Sequence, residues 1–366
     1  MSTETKRKGW FGMSPGHRKN FLVTFSAFKL RMFERCPLEF YYNYIEPEET
    51  VIFAPNLFGI SVHRMLQFFF ERGYESKETF LRFWWIYWWK VVLHQNRLRG
   101  IRFLDEDQEE EEKKYYKIGV KILSSFWGEN IVLRGTDLSP EVEKRFSFSF
   151  GRFTLIGSID RRQPVRKPEE GIEIIDYKTG LKYFKEPEMR RDYQFTVYQL
   201  AEEILTGKSP VAMYVDRLNL GERISVALRT DEDYELLYRV LESTYVTLTK
   251  LLTTTPKPAD KELLLRNPEY ASVKTFMPRP SSYCNICPHE GRCFASRATR
   301  LGDEDVTEAL VELGKASTHS DATQLELALP YKFKKYREGV DKKDTPTSKH
   351  KRKVSKGKGQ LSWDLD

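Results

Sequence analysis

No apolar run in this 366-residue chain approaches the roughly 20 residues that a helix needs to cross a bilayer. The most aromatic segment, Phe83-Trp-Trp-Ile-Tyr-Trp-Trp89, is closed by Arg82 and Lys90 and reads as a helix buried in a core, with no membrane partner. Met1 to Asn20 is polar and carries no apolar stretch of a secretory signal, so a reducing, cytoplasmic setting is expected. Cysteine is scarce, with four in the chain, and in that setting thiols serve as metal ligands more often than as disulfides. An ATP motor is also missing. Thr206-Gly207-Lys208-Ser209 ends like a phosphate-binding loop, but Glu202 stands where the first glycine is required. No internal repeat is evident.

The charge present is unevenly placed. Tyr331 to Lys358 holds twelve Lys or Arg against three acids, so this segment exceeds the net +7 and leaves the remainder at −2. The basic balance belongs to a tail and not to a basic fold. Composition divides the chain into a flexible start (1–20), one globular domain (21–300) with a helical insertion at about 71–130, and a largely disordered basic tail (301–366).

Within the domain, Ser26 is a good N-cap for a helix with the apolar stripe Phe28, Met32 and Phe33. Pro37 disfavours helix at Cys36 and frees that thiol to act as a ligand. A second helix after Asn56 carries His63, Leu66 and Phe70, and the acidic run Asp105 to Glu112 reads as a solvated helix face or loop. From Lys144 the period changes to two: Phe146, Phe148 and Phe150 alternate with serines, Gly151 offers a turn, and Phe153 and Leu155 alternate again. Ile172–Lys178 is a short central strand. Asp192–Thr206 is a helix, Val211–Val226 two strands, and Asp231–Leu252 a helix, giving an α/β fold.

On the central strand, Asp176 and Lys178 point to one face. With Asp160 from the preceding hairpin, they provide two carboxylates and an ammonium, a set suited to Mg²⁺ or Mn²⁺ and to phosphodiester hydrolysis. Alone, Asp-x-Lys is a strand-end salt bridge in most proteins. Six segments in order change that reading: Phe25-Ser26 through Cys36-Pro37, Gly59-Ile-Ser-Val-His63, Gly157-Ser-Ile-Asp160, Asp176-Tyr-Lys178-Thr-Gly180, Gln194-Phe-Thr-Val-Tyr198, and Cys284-x2-Cys287-x5-Cys293. This series resembles the RecB-like branch of the PD-(D/E)XK nucleases, closest to its iron–sulfur members, the CRISPR-associated RecB-like exonucleases and the AddB nuclease domain.

The resemblance implies a mixed central sheet flanked by helices. It implies a metal site of His63, Asp160, Asp176 and the backbone carbonyl of Tyr177, with Asp160, Asp176, Lys178, Gln194 and Tyr198 as catalytic residues. Glu143 fits a weaker acidic position and reads as structural. Cys36, Cys284, Cys287 and Cys293 resemble ligands of a 4Fe–4S cluster that pins the C-terminal segment to the first helix; zinc suits four thiolates as well. The implied activity is that of a DNA nuclease, an exonuclease on single-stranded ends in repair, recombination, defence or phage replication. A separate helicase is left to do any unwinding. The other reading is a non-catalytic iron–sulfur or zinc DNA-binding adaptor.

Two tail segments, Gln324-Leu325-Glu-Leu327-Ala-Leu329 and Gln360-Leu361-Ser-Trp363-Asp-Leu365, share one pattern. Both look like the peptide by which bacterial proteins bind the replicative sliding clamp, with apolar anchors and a hydrogen-bonding Gln. The bland reading is a short helix docking on the domain itself.

Overall fold

The computed structural model describes residues 10–47, 51–97, 100–104, 106–166, 170–180 and 192–254, and in the cysteine-bearing segment 276, 278–279, 281–290 and 293. The chain divides into units 1–329 and 330–366, and the second lies wholly outside the described residues, as do both clamp-like motifs.

Ser14 accepts the His17 amide and opens α1 (Pro15–Val23), with Pro15 in the first turn, where a missing N–H is no loss. Residues 15–20, expected loose, are therefore helical. After β1 (Thr24–Phe25), Ser26 caps α2 (Ala27–Arg35) through the Lys29 amide. The buried side of α2 holds Leu30, Met32 and Phe33, whereas Phe28 is 54% exposed. Phe28 lies about 200° round the helix from Leu30 and about 140° from Phe33, so it turns away from both, although buried Met32 is only about 40° from it. The helix stops at Cys36, extended ahead of Pro37. α3 (Pro37–Phe40) then runs into a wide turn at Tyr41–Ile45.

β2 (Ile52–Phe53) leads into α4 (Ala54–Glu71), followed by α5 (Lys77–Ile86), a wide turn Tyr87–Leu93 and α6 (His94–Arg97). β3 (Ile101–Arg102) pairs parallel with β2 and precedes α7 (Gln108–Asn130). Trp84 and Trp88 are buried, and their indole N–H groups donate to the carbonyls of Tyr116 and Glu112 at 3.2 Å each. Trp85 is 45% exposed, so the aromatic run is a two-faced helix. The acidic run is also two-faced: Glu109 and Glu110 meet solvent, but Glu111 and Glu112 are buried. Glu111 accepts the Leu104 amide at 2.7 Å, and Glu112 pairs with Arg97 at 2.9 Å. Those partners lie outside the helix, so the sequence period alone did not reveal this burial.

β4 (Glu141–Phe150) and β5 (Phe153–Val165) form the expected hairpin, turning at Gly151, whose φ is +60°. β6 (Gly171–Lys178) pairs antiparallel with β5 and parallel with β7 (Ala212–Arg217), reached through α8 (Tyr193–Thr206). β8 (Glu222–Val226) closes that edge and α9 (Asp231–Thr254) follows. β5 is the hub of the six-stranded sheet: β4 covers one edge, and β1 and β6 share the other. Helices α4, α5 and α7 pack on the sheet face that carries Ile175 and Tyr177. On the other face, Phe146, Phe150 and Phe153 meet Tyr198 of α8 and Tyr238 of α9 edge-on. Gly157 is required there, since a Cβ would lie 2.5 Å from the Phe146 ring.

Candidate metal-dependent active site

The β5–β6 ladder ends at Arg161↔Ile175, yet β6 runs on to Lys178 with only β7 beside it. Where the strands part, backbone groups need other partners. The Tyr177 amide donates to Asp160 Oδ2 at 2.8 Å, and the Tyr177 carbonyl lies 3.1 Å from His63 Nε2. That carbonyl is thus turned into the site with a second lone pair to offer. Asp176 is fully buried; its Oδ2 lies 2.6 Å from Lys178 Nζ, and its Oδ1 has no hydrogen-bond partner among the described residues.

Glu143 joins this group. The hairpin register sets it opposite Asp160, and regular pairing lapses at that one place. Its φ is +47°, the one left-handed non-glycine among the described residues. Its Oε2 accepts from Ser158 Oγ at 3.0 Å. Its Oε1 lies 3.8 Å from His63 Nδ1, and Asp160 Oδ2 lies 3.5 Å from the same nitrogen. His63, Glu143 and Asp160 each offer a ligand atom within 4.8 Å of the others. Glu143, expected from the sequence to be structural, thus lies in a group that could hold a metal ion. A turn at Gly151 already pairs 143 with 160, so the signal was present in the hairpin register.

Electrostatics follow from the crowding of acids. Burial alone lowers the basicity of His63, but Asp160, Glu143 and Asp176 outweigh it and raise its pKa to about 9. Asp160 is pushed up to about 7, by burial first and by Asp176 and Glu143, against the pull of His63. Lys178, disfavoured as an ammonium by burial, is raised by Asp176 and Asp160. Asp160 thus holds its proton more tightly than an ordinary carboxyl, through burial first and crowding by its neighbours second, and a divalent cation would displace that proton. The orphaned Asp176 Oδ1, the inward Tyr177 carbonyl and the oxygen-rich donor set fit a hard divalent ion.

Lys178 is held from α8. Its Nζ donates to Gln194 Oε1 at 3.2 Å, while Gln194 Nε2 donates to the Tyr198 hydroxyl at 2.7 Å. Burial first, then Asp160 and Asp176, raise the Tyr198 phenol well above its ordinary value. Arg31 of α2, which no motif singles out, donates to the same Gln194 oxygen at 3.3 Å and pairs with Asp192 at 3.0 Å.

None of the four cysteines forms a disulfide. Cys284 lies in a short turn, Ser282–Ile286, and the Cys287 amide donates to the Cys284 carbonyl at 3.3 Å. The fold carries this segment to Cys36: burial, then Glu39, Cys36 and Cys293, raise the Cys287 thiol to about 12. Cys36 is raised by burial, and the backbone at Arg279, Glu39 and Leu38 hydrogen-bonds to it. Three further contacts tie the segment down. Tyr283 donates to buried Glu39 at 3.3 Å, His289 Nε2 lies 2.9 Å from Asn43 Nδ2, and Glu290 pairs with Arg102. Sequence reading missed all three, since each joins residues far apart in the chain.

Among the described residues no helix is long and apolar enough to cross a membrane. None of the curated proteins matches the sequence. A solved structure described as "Crystal structure of SSO0001" is similar at 14% identity, over 74% of this chain and 95% of that one, with a TM-score of 0.27, too low for the likeness to carry an argument. The family pattern of the PD-(D/E)XK nuclease superfamily matches residues 24–294. That span runs from β1 past Cys293, and on it this chain belongs to the PD-(D/E)XK nuclease superfamily.

Proposed function

We propose that the chain is a metal-dependent deoxyribonuclease of the RecB-like, iron–sulfur branch, acting as an exonuclease on single-stranded DNA ends. One observation carries the hydrolytic reading: a buried Asp176 carboxylate with a free oxygen, paired with Lys178, set where β6 leaves β5. His63, Asp160, Asp176 and the Tyr177 carbonyl, with Glu143 beside them, would hold Mg²⁺ or Mn²⁺. Such an ion supplies charge neutralisation and a more acidic bound water. Lys178 holds the attacking water and meets charge developing on the phosphate. Gln194 keeps Lys178 turned inward, and Tyr198 fixes the amide of Gln194.

The cysteines are read as a structural 4Fe–4S clasp, supported by Cys36 lying near enough to Cys287 to act on its charge and by backbone groups turned to the Cys36 sulfur. DNA unwinding falls to a separate helicase, and the tail motifs are read as sliding-clamp peptides. The test is digestion of end-labelled single- and double-stranded DNA, linear and circular, in Mg²⁺ or Mn²⁺. Linear single strands should be degraded and circles spared. Asp176→Ala and Lys178→Ala should abolish most cleavage while DNA binding persists. Unchanged turnover in Asp176→Ala would overturn the site; cutting of circles at the linear rate would replace exonuclease with endonuclease.

A further inference from the structure

Arg31 stands outside the acid cluster, on the helix that ends at Cys36. Its Nη1 reaches both oxygens of Asp192, at 3.0 and 3.3 Å, and its Nη2 reaches Gln194 Oε1 at 3.3 Å. Asp192 is the N-cap of α8 and accepts the Gln194 amide at 2.9 Å. One guanidinium therefore holds both the start of that helix and the side chain of its second residue.

The Gln194 amide has two possible orientations, and only one turns its oxygen to Lys178. Two cationic donors, Arg31 and Lys178, converge on Oε1, while Nε2 is committed to Tyr198. With Arg31 gone, Oε1 keeps a single cation and the α8 start loses its cross-link to α2. A lysine repairs this only in part, since its ammonium is a single point donor and lacks the planar fork that reaches Asp192 with one nitrogen and Gln194 with the other.

We propose that Arg31 is a positioning residue for hydrolysis: it locks Gln194, and through it Lys178, in the cleaving arrangement, and it ties that arrangement to the clasp helix. This rests on the nuclease reading above.

The test is steady-state cleavage of a 5′-labelled single-stranded oligonucleotide in Mn²⁺ by full-length wild type, Arg31→Gln, Arg31→Lys, Gln194→Ala and the double variant Arg31→Gln/Gln194→Ala. Arg31→Gln should lower kcat about 10- to 100-fold, the usual effect of losing a group that orients a reactive one, with KM nearly unchanged. Arg31→Lys should recover only part of this. In the Gln194→Ala background, Arg31→Gln should add little, because the two act in series. Full additivity, or a rise in KM alone, overturns the positioning role and makes Arg31 a substrate-phosphate contact. If Arg31→Gln melts well below wild type, the decision passes to Arg31→Lys: wild-type kcat in that variant overturns the proposal. Wild type that cuts nothing overturns the nuclease reading together with this one; wild type that cuts while Arg31→Gln cuts equally overturns this one alone.

Discussion

Lys29 shows how a single residue is governed by its surroundings. It is buried, its Nζ lies 3.7 Å from the Phe21 ring centroid, and it donates to the Phe21 and Thr24 carbonyls at 2.7 Å each. Among the described residues no carboxylate pairs with it, and burial draws its pKa down to about 7. The unfolded chain protonates Lys29 up to about pH 10. Between these values the unfolded state binds the extra proton, so stability rises with pH across that window, and the charge-burial penalty is complete below it. The advantage of Lys29→Met over wild type should therefore be largest near pH 7 and shrink towards pH 10, by at most about 1.4 kcal/mol per pH unit. Parallel denaturation series settle it; a pH-independent difference overturns it. Glu143 presents the converse case, a strained residue at a site. Glu143→Gly should leave stability unchanged or raise it by up to about 1 kcal/mol, because the left-handed penalty disappears. Cleavage should fall through loss of the carboxylate. A clear drop in Tm would return Glu143 to a structural role.

At the scale of elements, α2 joins the proposed clasp to the proposed site, because it carries Arg31 and ends at Cys36. Cys36→Ala should lower Tm as strongly as Cys287→Ala, since either loss opens the same long closure. Wild-type protein should be brown and bleach with air or chelators; colourless protein with one equivalent of zinc would replace the cluster with zinc. Much of this architecture was legible beforehand. The β4–β5 hairpin was legible from alternating phenylalanines, and the strand ending at Lys178 from its apolar run. The segments carrying His63, Asp160, Asp176 and Gln194 were recognisable in order. Other features were not. Burial of Glu111 and Glu112 depends on Arg97 and Leu104, and Arg31 matters only because α2 lies beside the start of α8. Such contacts belong to tertiary packing, and no local period encodes them.

For the whole molecule, charge and chemistry are separated along the chain. Every proposed catalytic residue precedes residue 200, while the segment 331–358 carries a surplus of nine positive charges. Removing residues 301–366 should therefore keep cleavage of short oligonucleotides at low salt. DNA affinity should weaken, and the deficit should fade as salt rises, because counterion release from tail contacts is then worth less. The clamp proposal is separable from this effect. Replacing Leu361, Trp363 and Leu365 with Ala removes apolar anchors and leaves every basic residue in place. It should weaken capture by a bacterial sliding clamp to what the segment 324–329 alone supports, while leaving the salt dependence of DNA binding unchanged. A tail peptide that shows no clamp binding by calorimetry, together with a triple variant equal to wild type in the pull-down, would end the clamp reading for the terminal motif. Loss of the salt effect in the triple variant would instead show that these apolar residues are needed to bring the tail's lysines and arginines to the DNA.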